Sequence, residues 1–255
     1  MRRINIEPNK SLLKAIQILE CFSENKQFLT AETISRLTGF PKTTVYRTLY
    51  TLEMAGLIHF REENNTYCLG VKLLEFGGIV LSRFHIRYYA SPYLTPLHHQ
   101  TGFTVLLGIL EGDRLMYIDK RESYEHHKYT SPIGKARSPH YGILGKTLMA
   151  SLDDEKIQEI LDNIPLKSYT DQSITDPASF RMELKKIREK GYAIDQEEVV
   201  PHVFGVGAPI KNKWGKTVAA IAVVGPKKAF LEFPLTEIVL KVQHCVKQIA
   251  SEINT

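Results

Sequence analysis

The chain is poor in cysteine. Its three thiols, Cys21, Cys68 and Cys245, are far apart and odd in number, which fits neither a disulfide framework nor a zinc knuckle and leaves them as buried or idle groups. The chain also lacks any run of 18 apolar residues, the length that a membrane-spanning helix needs. The N-terminus, MRRINIEPNK, has no apolar segment of the kind an export signal carries. The expected location is therefore cytoplasmic, with no membrane partner. Internal repeats and low-complexity tracts are missing as well, which excludes a repeat array.

Signatures of catalysis are equally scarce. His140-Tyr-Gly-Ile-Leu-Gly-Lys-Thr147 is similar to a phosphate-binding loop, but His140 stands where the first glycine belongs and no parallel-sheet pattern precedes it. Gly205-Val-Gly-Ala-Pro209 lacks the third glycine and the following helix of a dinucleotide fingerprint. His98-His99 and His126-His127 are adjacent pairs whose side chains point apart on a regular element, so they do not chelate. Asp195, Glu197 and Glu198 could pair for acid-base work, yet no activated nucleophile or metal set accompanies them. No catalytic residue, metal or cofactor is assigned.

What is present suffices to fold. With 255 residues, 43% of them hydrophobic, the chain can bury a real core and is long enough for two domains. The formal charge of +5 is mild, but its placement is informative. Up to Tyr50 there are eight basic residues (Arg2, Arg3, Lys10, Lys14, Lys26, Arg36, Lys42, Arg47) against four acids (Glu7, Glu20, Glu24, Glu32).

Within that basic segment, residues 28–57 read as two helices joined by a tight turn. Thr30 is a good N-cap with Glu32 in the first turn, and Gly39 ends the helix where a left-handed residue is cheap. Pro41 restarts the helix as its first residue, where a missing N–H costs nothing. On a wheel at 100° per residue, Val45, Leu49 and Leu52 form the buried stripe and Thr43, Arg47 and Tyr50 face outward, flanked by Lys42, Thr44, Tyr46 and Thr51. No acid occurs between Glu32 and Glu53, so the outward face can meet a polyanion through hydroxyl and guanidinium groups. That is the order of parts in a helix-turn-helix.

Short strand-like runs at Leu57–Phe60 and Thr66–Leu69, with the polar turn Glu62 to Asn65 between them, predict a hairpin wing. An N-terminal helix with the stripe Leu12, Ala15, Ile16, Leu19 and Phe22 completes a winged helix-turn-helix over residues 1–70. Residues 71–88 form a linker helix whose stretch from Val71 to Phe84 is apolar nearly all round, with Gly77 and Gly78 inviting close approach of a second helix or a kink. A subunit contact is the favoured role, since reading two half-sites needs a dimer. Residues 89–255 alternate hairpins with helices: strands at Phe103–Leu110, Leu115–Ile118, Tyr192–Asp195, Val203–Lys211 and Lys216–Val224. The helices lie near Ile86–Thr101, His140–Leu152, Glu155–Asn163, Pro177–Lys190 and Pro234–Ile253. The fold class is α+β.

The segments LLKAIQILECF, LTAETISRLTGFPKTTVYRTLYTLEMAGLI, YCLGVKLLEFG, SPIGKARSPHYGILGKTLMASL, IREKGYAIDQEE and GAPIKNKWGKTVAAIAVVGP, in this order over nearly the full length, resemble the IclR family of bacterial transcription regulators. The resemblance implies a C-terminal effector-binding domain of GAF-like α/β form, and a homodimer or dimer of dimers on a pseudo-palindromic DNA operator. It places DNA contacts at Lys42, Thr43, Thr44, Tyr46 and Arg47; Tyr50, Arg61, Arg2 and Arg3 join them on charge and position. The wing tip Glu62-Glu63 repels phosphate, so no wing contact beyond Arg61 is expected.

For the effector, the family pattern falls on Ile143, Leu144, Asp195, Gly205, Ala222 and Val224, with Ser138 and His140 beside the helix start and Lys135, Arg137 and His140 adding charge. Helix N-terminal amides there suit a carboxylate. Family members that take small hydrophilic acids carry Ser or Cys where this chain has Gly205, Ala222 and Val224. The expected effector is therefore a small organic carboxylate with an apolar body, aromatic rings included. The expected function is a ligand-responsive regulator of a catabolic or metabolic operon, with repression the favoured sign. Two alternatives stay open: a GAF-like sensor whose N-terminal domain binds a protein, and a small-molecule hydrolase using Asp195 and His140.

Overall fold

The computed structural model describes residues 7–122 and 132–254. Arg2, Arg3, His126 and His127 lie outside the described residues. The chain divides into two compact units, one through Ser82 and one from Arg83. Among the described residues, no helix is long and apolar enough to cross a membrane.

In the first unit, α1 (Lys10–Leu19) is capped by the Asn9 side chain, which accepts hydrogen bonds from the Ser11 and Leu12 amides. Its buried stripe differs from the expected one. Ile18 and Phe22 are buried and Ala15 and Leu19 pack partly against them, whereas Leu12 and Ile16 are exposed. Residues 15, 18, 19 and 22 are an i, i+3, i+4, i+7 set, and Leu12 and Ile16 fall off it.

The next helix, α2 (Ala31–Thr38), starts where the Thr30 hydroxyl accepts from the Thr33 amide and stops at Gly39, with φ of 72°. In α3 (Lys42–Met54), Pro41 occupies the position just before the first helical residue, not the first itself. Strands β1 (Ile58–Arg61) and β2 (Thr66–Leu69) pair antiparallel, Ile58 with Leu69 and Arg61 with Thr66. A single 3-10 turn, Glu62–Asn64, and left-handed Asn65 join them. Val45, Leu49 and Leu52 close the small core with Ile18, Ile34 and Ile58.

In α4 (Lys72–Ser82) no residue is buried: Leu74 is 75% exposed and Ile79 64%, and Val71, just ahead of the helix, is 84% exposed. Apart from their chain neighbours and the helix's own backbone, no atom of the described residues lies within 4 Å of the Cβ positions that Gly77 and Gly78 lack, and the helix runs through them without a break.

The second unit begins with α5 (His85–Thr101) and then the hairpin β3 (Thr104–Glu111) and β4 (Arg114–Arg121). It continues through β5 (Ala136–Arg137), α6 (Gly142–Met149), α7 (Asp154–Asn163) and α8 (Pro177–Lys190). The last part is β6 (Ala193–Gln196), β7 (Val203–Lys211), β8 (Thr217–Pro226), the short α9 (Lys227–Phe230) and α10 (Leu235–Glu252). Helix α6 is shorter than its apolar sequence suggests, because Gly142, at φ of 60°, keeps the residues before it out of the helix. The two-residue β5 and the short α9 carry too little periodicity to be read from sequence.

The six strands form one antiparallel sheet in the order β5-β4-β3-β8-β7-β6. Both faces are covered, so β8 is buried nearly throughout. By the two-residue alternation of a strand, Ala220, Ala222 and Val224 face the cluster that holds α6, α7 and α8, and Ile221 and Val223 face the side of α5 and α10. Helix α6 lies against β7 at unusually short range. A Cβ on Gly207 would meet Thr147 Oγ1 at 2.7 Å and Ile143 Cγ1 at 3.0 Å.

Candidate functional site

Two regions gather the residues singled out by sequence. On the outward face of α3, Lys42, Thr43, Tyr46, Arg47 and Tyr50 are exposed and Thr44 is half-buried. Glu32, on α2, reaches across to this face. Its Oε1 lies 3.4 Å from Lys42 Nζ and accepts a hydrogen bond from the Tyr46 hydroxyl at 3.3 Å. Hydrogen bonding by its own backbone amide, and then by Lys42, holds the Glu32 carboxyl below its ordinary range. The face is thus not free of acid, because a carboxylate from the preceding helix touches two of its side chains. Arg61 is similarly engaged. Its guanidinium lies 3.3 Å from Glu63 Oε2 and 4.9 Å from the centre of the Phe28 ring. An exposed pair of this kind is weak, worth roughly 0 to 1 kcal/mol, and a phosphate can displace it.

The second region lies between α6 and the sheet. Ile143, Leu144, Ala222 and Val224 belong to one buried cluster, and Asp195 is buried beside it on β6. Gly205 contributes closeness here: a Cβ added to it would sit 3.0 Å from Val224 Cγ1 and 3.5 Å from Ile143 Cγ2. Ser138 is part of a surface cleft next to the start of α6. His140 is buried, and burial pushes its pKa down, so at neutral pH it is uncharged. It adds no positive charge to the site, contrary to the sequence expectation.

Sequence reading missed the strongest electrostatic feature. Lys146, 1% exposed on the buried side of α6, donates to the Ile194 carbonyl and to Glu198 Oε1, with Glu183 Oε1 at 3.5 Å. Asp195 accepts from the Glu198 amide at 3.0 Å. Three carboxylates thus surround one ammonium. Burial raises the Asp195 carboxyl above its ordinary range, with Lys146 opposing. Burial likewise pushes Glu198 up to about 7. The signal was a lone charged residue inside an apolar helical run, Ile143-Leu-Gly-Lys-Thr-Leu-Met149.

A carboxyl whose pKa is higher folded than unfolded binds its proton more tightly in the folded state, so stability falls as pH rises through the interval between the two values. For Glu198 that interval runs from the ordinary 4.5 to about 7. Thermal unfolding between pH 4.5 and 7 should therefore show stability falling by at most about 1.4 kcal/mol per pH unit from this group, and Glu198→Gln should flatten the dependence. An unchanged slope in the variant contradicts the assignment.

Comparisons with known proteins cover nearly the whole length. A family model described as the IclR helix-turn-helix domain matches residues 11–62, and one described as bacterial transcriptional regulator IclR C-terminal matches residues 78–251. The HTH-type transcriptional regulator XynR of Escherichia coli (strain K12) is 34% identical over 213 residues, 84% of this chain and 84% of that protein. The HTH-type transcriptional regulator KipR of Bacillus subtilis (strain 168) is 30% identical over 246 residues, 96% of this chain and 97% of that protein. Among solved structures, the IclR of Thermotoga maritima superimposes with a TM-score of 0.79 at 29% identity, covering 96% of this chain and 99% of that one. An IclR homolog from Microbacterium hydrocarbonoxydans, solved with 4-hydroxybenzoate, gives 0.82 at 21% identity over 96% of this chain and 99% of that one, a likeness of fold.

Proposed function

The chain belongs to the IclR family of bacterial transcriptional regulators, and from that premise we propose that it is a ligand-responsive regulator, a repressor, that binds a pseudo-palindromic operator as a dimer or dimer of dimers. The single observation that carries DNA binding is the outward face of α3. Its basic, hydroxyl and aromatic groups are exposed on a helix anchored by the buried Val45, Leu49 and Leu52. Side chains so held can reach base edges and phosphates without the helix leaving its core. Dimerisation is supported by α4, whose exposed apolar side chains need covering in water.

The effector in this reading is a small carboxylate with an apolar body, bound at the start of α6 near Ser138, His140, Ile143, Leu144, Asp195, Gly205, Ala222 and Val224. The ligand of the Microbacterium hydrocarbonoxydans homolog is an aromatic carboxylate. That likeness carries only the fold, and the ligand class for this chain rests on its own side chains. Coupling is by linkage. An effector that prefers one arrangement of the protein shifts DNA affinity by its differential binding, typically about 1–3 kcal/mol.

The test combines two titrations of the purified protein. Operator fragments selected from a random duplex library should bind with log affinity falling against log salt at about −0.9 per phosphate neutralised. Calorimetry against aliphatic hydroxy-acids and aromatic acids should favour the latter. A salt slope near zero removes the DNA contact, and tight binding of glyoxylate-sized acids alone removes the apolar effector.

A further inference from the structure

Helices α2 and α3 are locked to each other through their turn and their shared core. Ser35 Oγ donates to the Phe40 carbonyl at 2.6 Å and the Phe40 amide donates to Thr38 Oγ1 at 3.3 Å, which closes the turn around left-handed Gly39. Ile34 of α2 shares one core with Val45 and Leu49 of α3. The start of α2 is therefore held in a fixed place against the first half of α3.

Glu32 uses that frame. It lies in the first turn of α2, behind the Thr30 cap. Its Oε1 meets Lys42 Nζ at 3.4 Å and accepts from the Tyr46 hydroxyl at 3.3 Å. Lys42 and Tyr46 are four residues apart, so one carboxylate spans successive turns of α3 along one side. Hydrogen bonding by its own backbone amide, then by Lys42, keeps the carboxyl below its ordinary range, so it is charged at neutral pH. Helix α3 itself carries no acid before Glu53. One negative charge thus stands among side chains that meet DNA in the proposed function.

That charge acts differently on two kinds of duplex. Where the sequence does not match, affinity comes from phosphates, and the carboxylate offsets the Lys42 charge and repels the phosphates near it. On the operator it holds the Lys42 ammonium and the Tyr46 hydroxyl in one arrangement, and side chains already ordered lose less freedom on binding. With its proton committed to Glu32, the Tyr46 oxygen can accept from the exocyclic amino group of adenine or cytosine.

We infer that Glu32 is a specificity-determining residue of the DNA-reading face, which penalises phosphate-only binding and positions Lys42 and Tyr46 for the operator. The inference rests on α3 being the DNA-contacting helix and adds to it a discriminating carboxylate on α2.

Fluorescence anisotropy of the full chain, with the selected operator and with a shuffled duplex of the same length, tests it. Glu32→Gln should tighten the shuffled duplex about fivefold at low salt and steepen its log–log salt slope by about 0.9, the value for one further phosphate neutralised. Operator affinity should stay near wild type, because Lys42 and Tyr46 lose their anchor, so the ratio of operator to shuffled affinity should fall about fivefold. Glu24→Gln makes the same change of net charge between α1 and α2 and should leave ratio and slope unchanged. The Glu32 side chain is 50% exposed, so replacing it opens no core, and Glu32→Ala should act in the same direction if the glutamine variant fails to fold. An unchanged ratio and slope in folded Glu32 variants, or an equal effect of Glu24→Gln, overturns the role of Glu32 alone. A wild type that binds neither duplex sinks the reading of α3 as well.

Discussion

Arg47→Glu should abolish operator binding while leaving the binding of aromatic acids unchanged. Arg47 is exposed on the outward side of α3 and enters no core, since Val45, Leu49 and Leu52 carry the packing. The substitution therefore costs little in folding, where surface changes usually stay within about 0.5 kcal/mol. At the DNA it replaces a cation with an anion. A lost guanidinium contact to a base edge or phosphate costs about 1–3 kcal/mol, and repulsion adds to this. In a dimer the change enters twice, so a loss of a thousandfold or more in affinity is expected. Fluorescence anisotropy with the selected operator measures it directly. Arg47→Lys should keep part of the binding at low salt and lose sequence preference, because an ammonium lacks the guanidinium fork. If Arg47→Glu binds the operator like the wild type, α3 is not the reading helix.

The second large effect concerns folding. Replacing Lys146 with methionine keeps the length of the side chain but leaves Glu198 and Asp195 buried without their cation and the Ile194 carbonyl without its donor. Removing one partner of a buried ion pair typically costs about 3–5 kcal/mol. For a chain of this size, each kcal/mol shifts Tm by roughly 2–4 °C, so the thermal transition of the second unit should fall by about 10 °C. The loss should shrink as pH falls toward about 7, the value of Glu198 with Lys146 in place, because without Lys146 the carboxyl keeps its proton to still higher pH and a protonated carboxyl needs no counter-charge. Adding Glu198→Gln should restore part of the stability, and a double-mutant cycle gives the coupling. A Lys146→Met variant with wild-type Tm at pH 8 rules out an electrostatic role for this cluster.

Much of the fold was legible because its punctuation is local. Thr30 and Gly39 mark the two ends of α2, Asp176 and Gly191 those of α8, and the polar run Glu62 to Asn65 marks the wing turn. Each of these signals acts within a few residues. What escaped depends on packing between distant segments. On α1, both the set starting at Leu12 and the set ending at Phe22 satisfy helical spacing, and only contact with α2 and α3 selects the latter. The reach of Glu32 to Lys42 and Tyr46 follows from how α2 crosses α3, which no periodicity encodes. Lys146 reads as an anomaly in an apolar helix, but its partners Glu183 and Glu198 lie on α8 and past β6. The neutrality of His140 comes from burial by neighbours far along the chain. The surface cleft that Ser138 borders, which also takes in Tyr141 and Tyr169, has no sequence pattern at all, since it is built from three separate stretches of chain.

The missing Cβ atoms of Gly205 and Gly207 have a mechanical consequence. Ile143 and Thr147 sit in the two notches those glycines leave in β7, so α6 is seated on the sheet like a key in a lock. Close-packed joints of this kind resist small slides. The helix can stay in both notches or move by about one turn, roughly 5.4 Å, and nothing between is comfortable. A ligand meeting the start of α6 therefore cannot nudge the helix along the strand by degrees. Its displacement must be absorbed by the short segment ahead of Gly142, or the whole joint must let go at once.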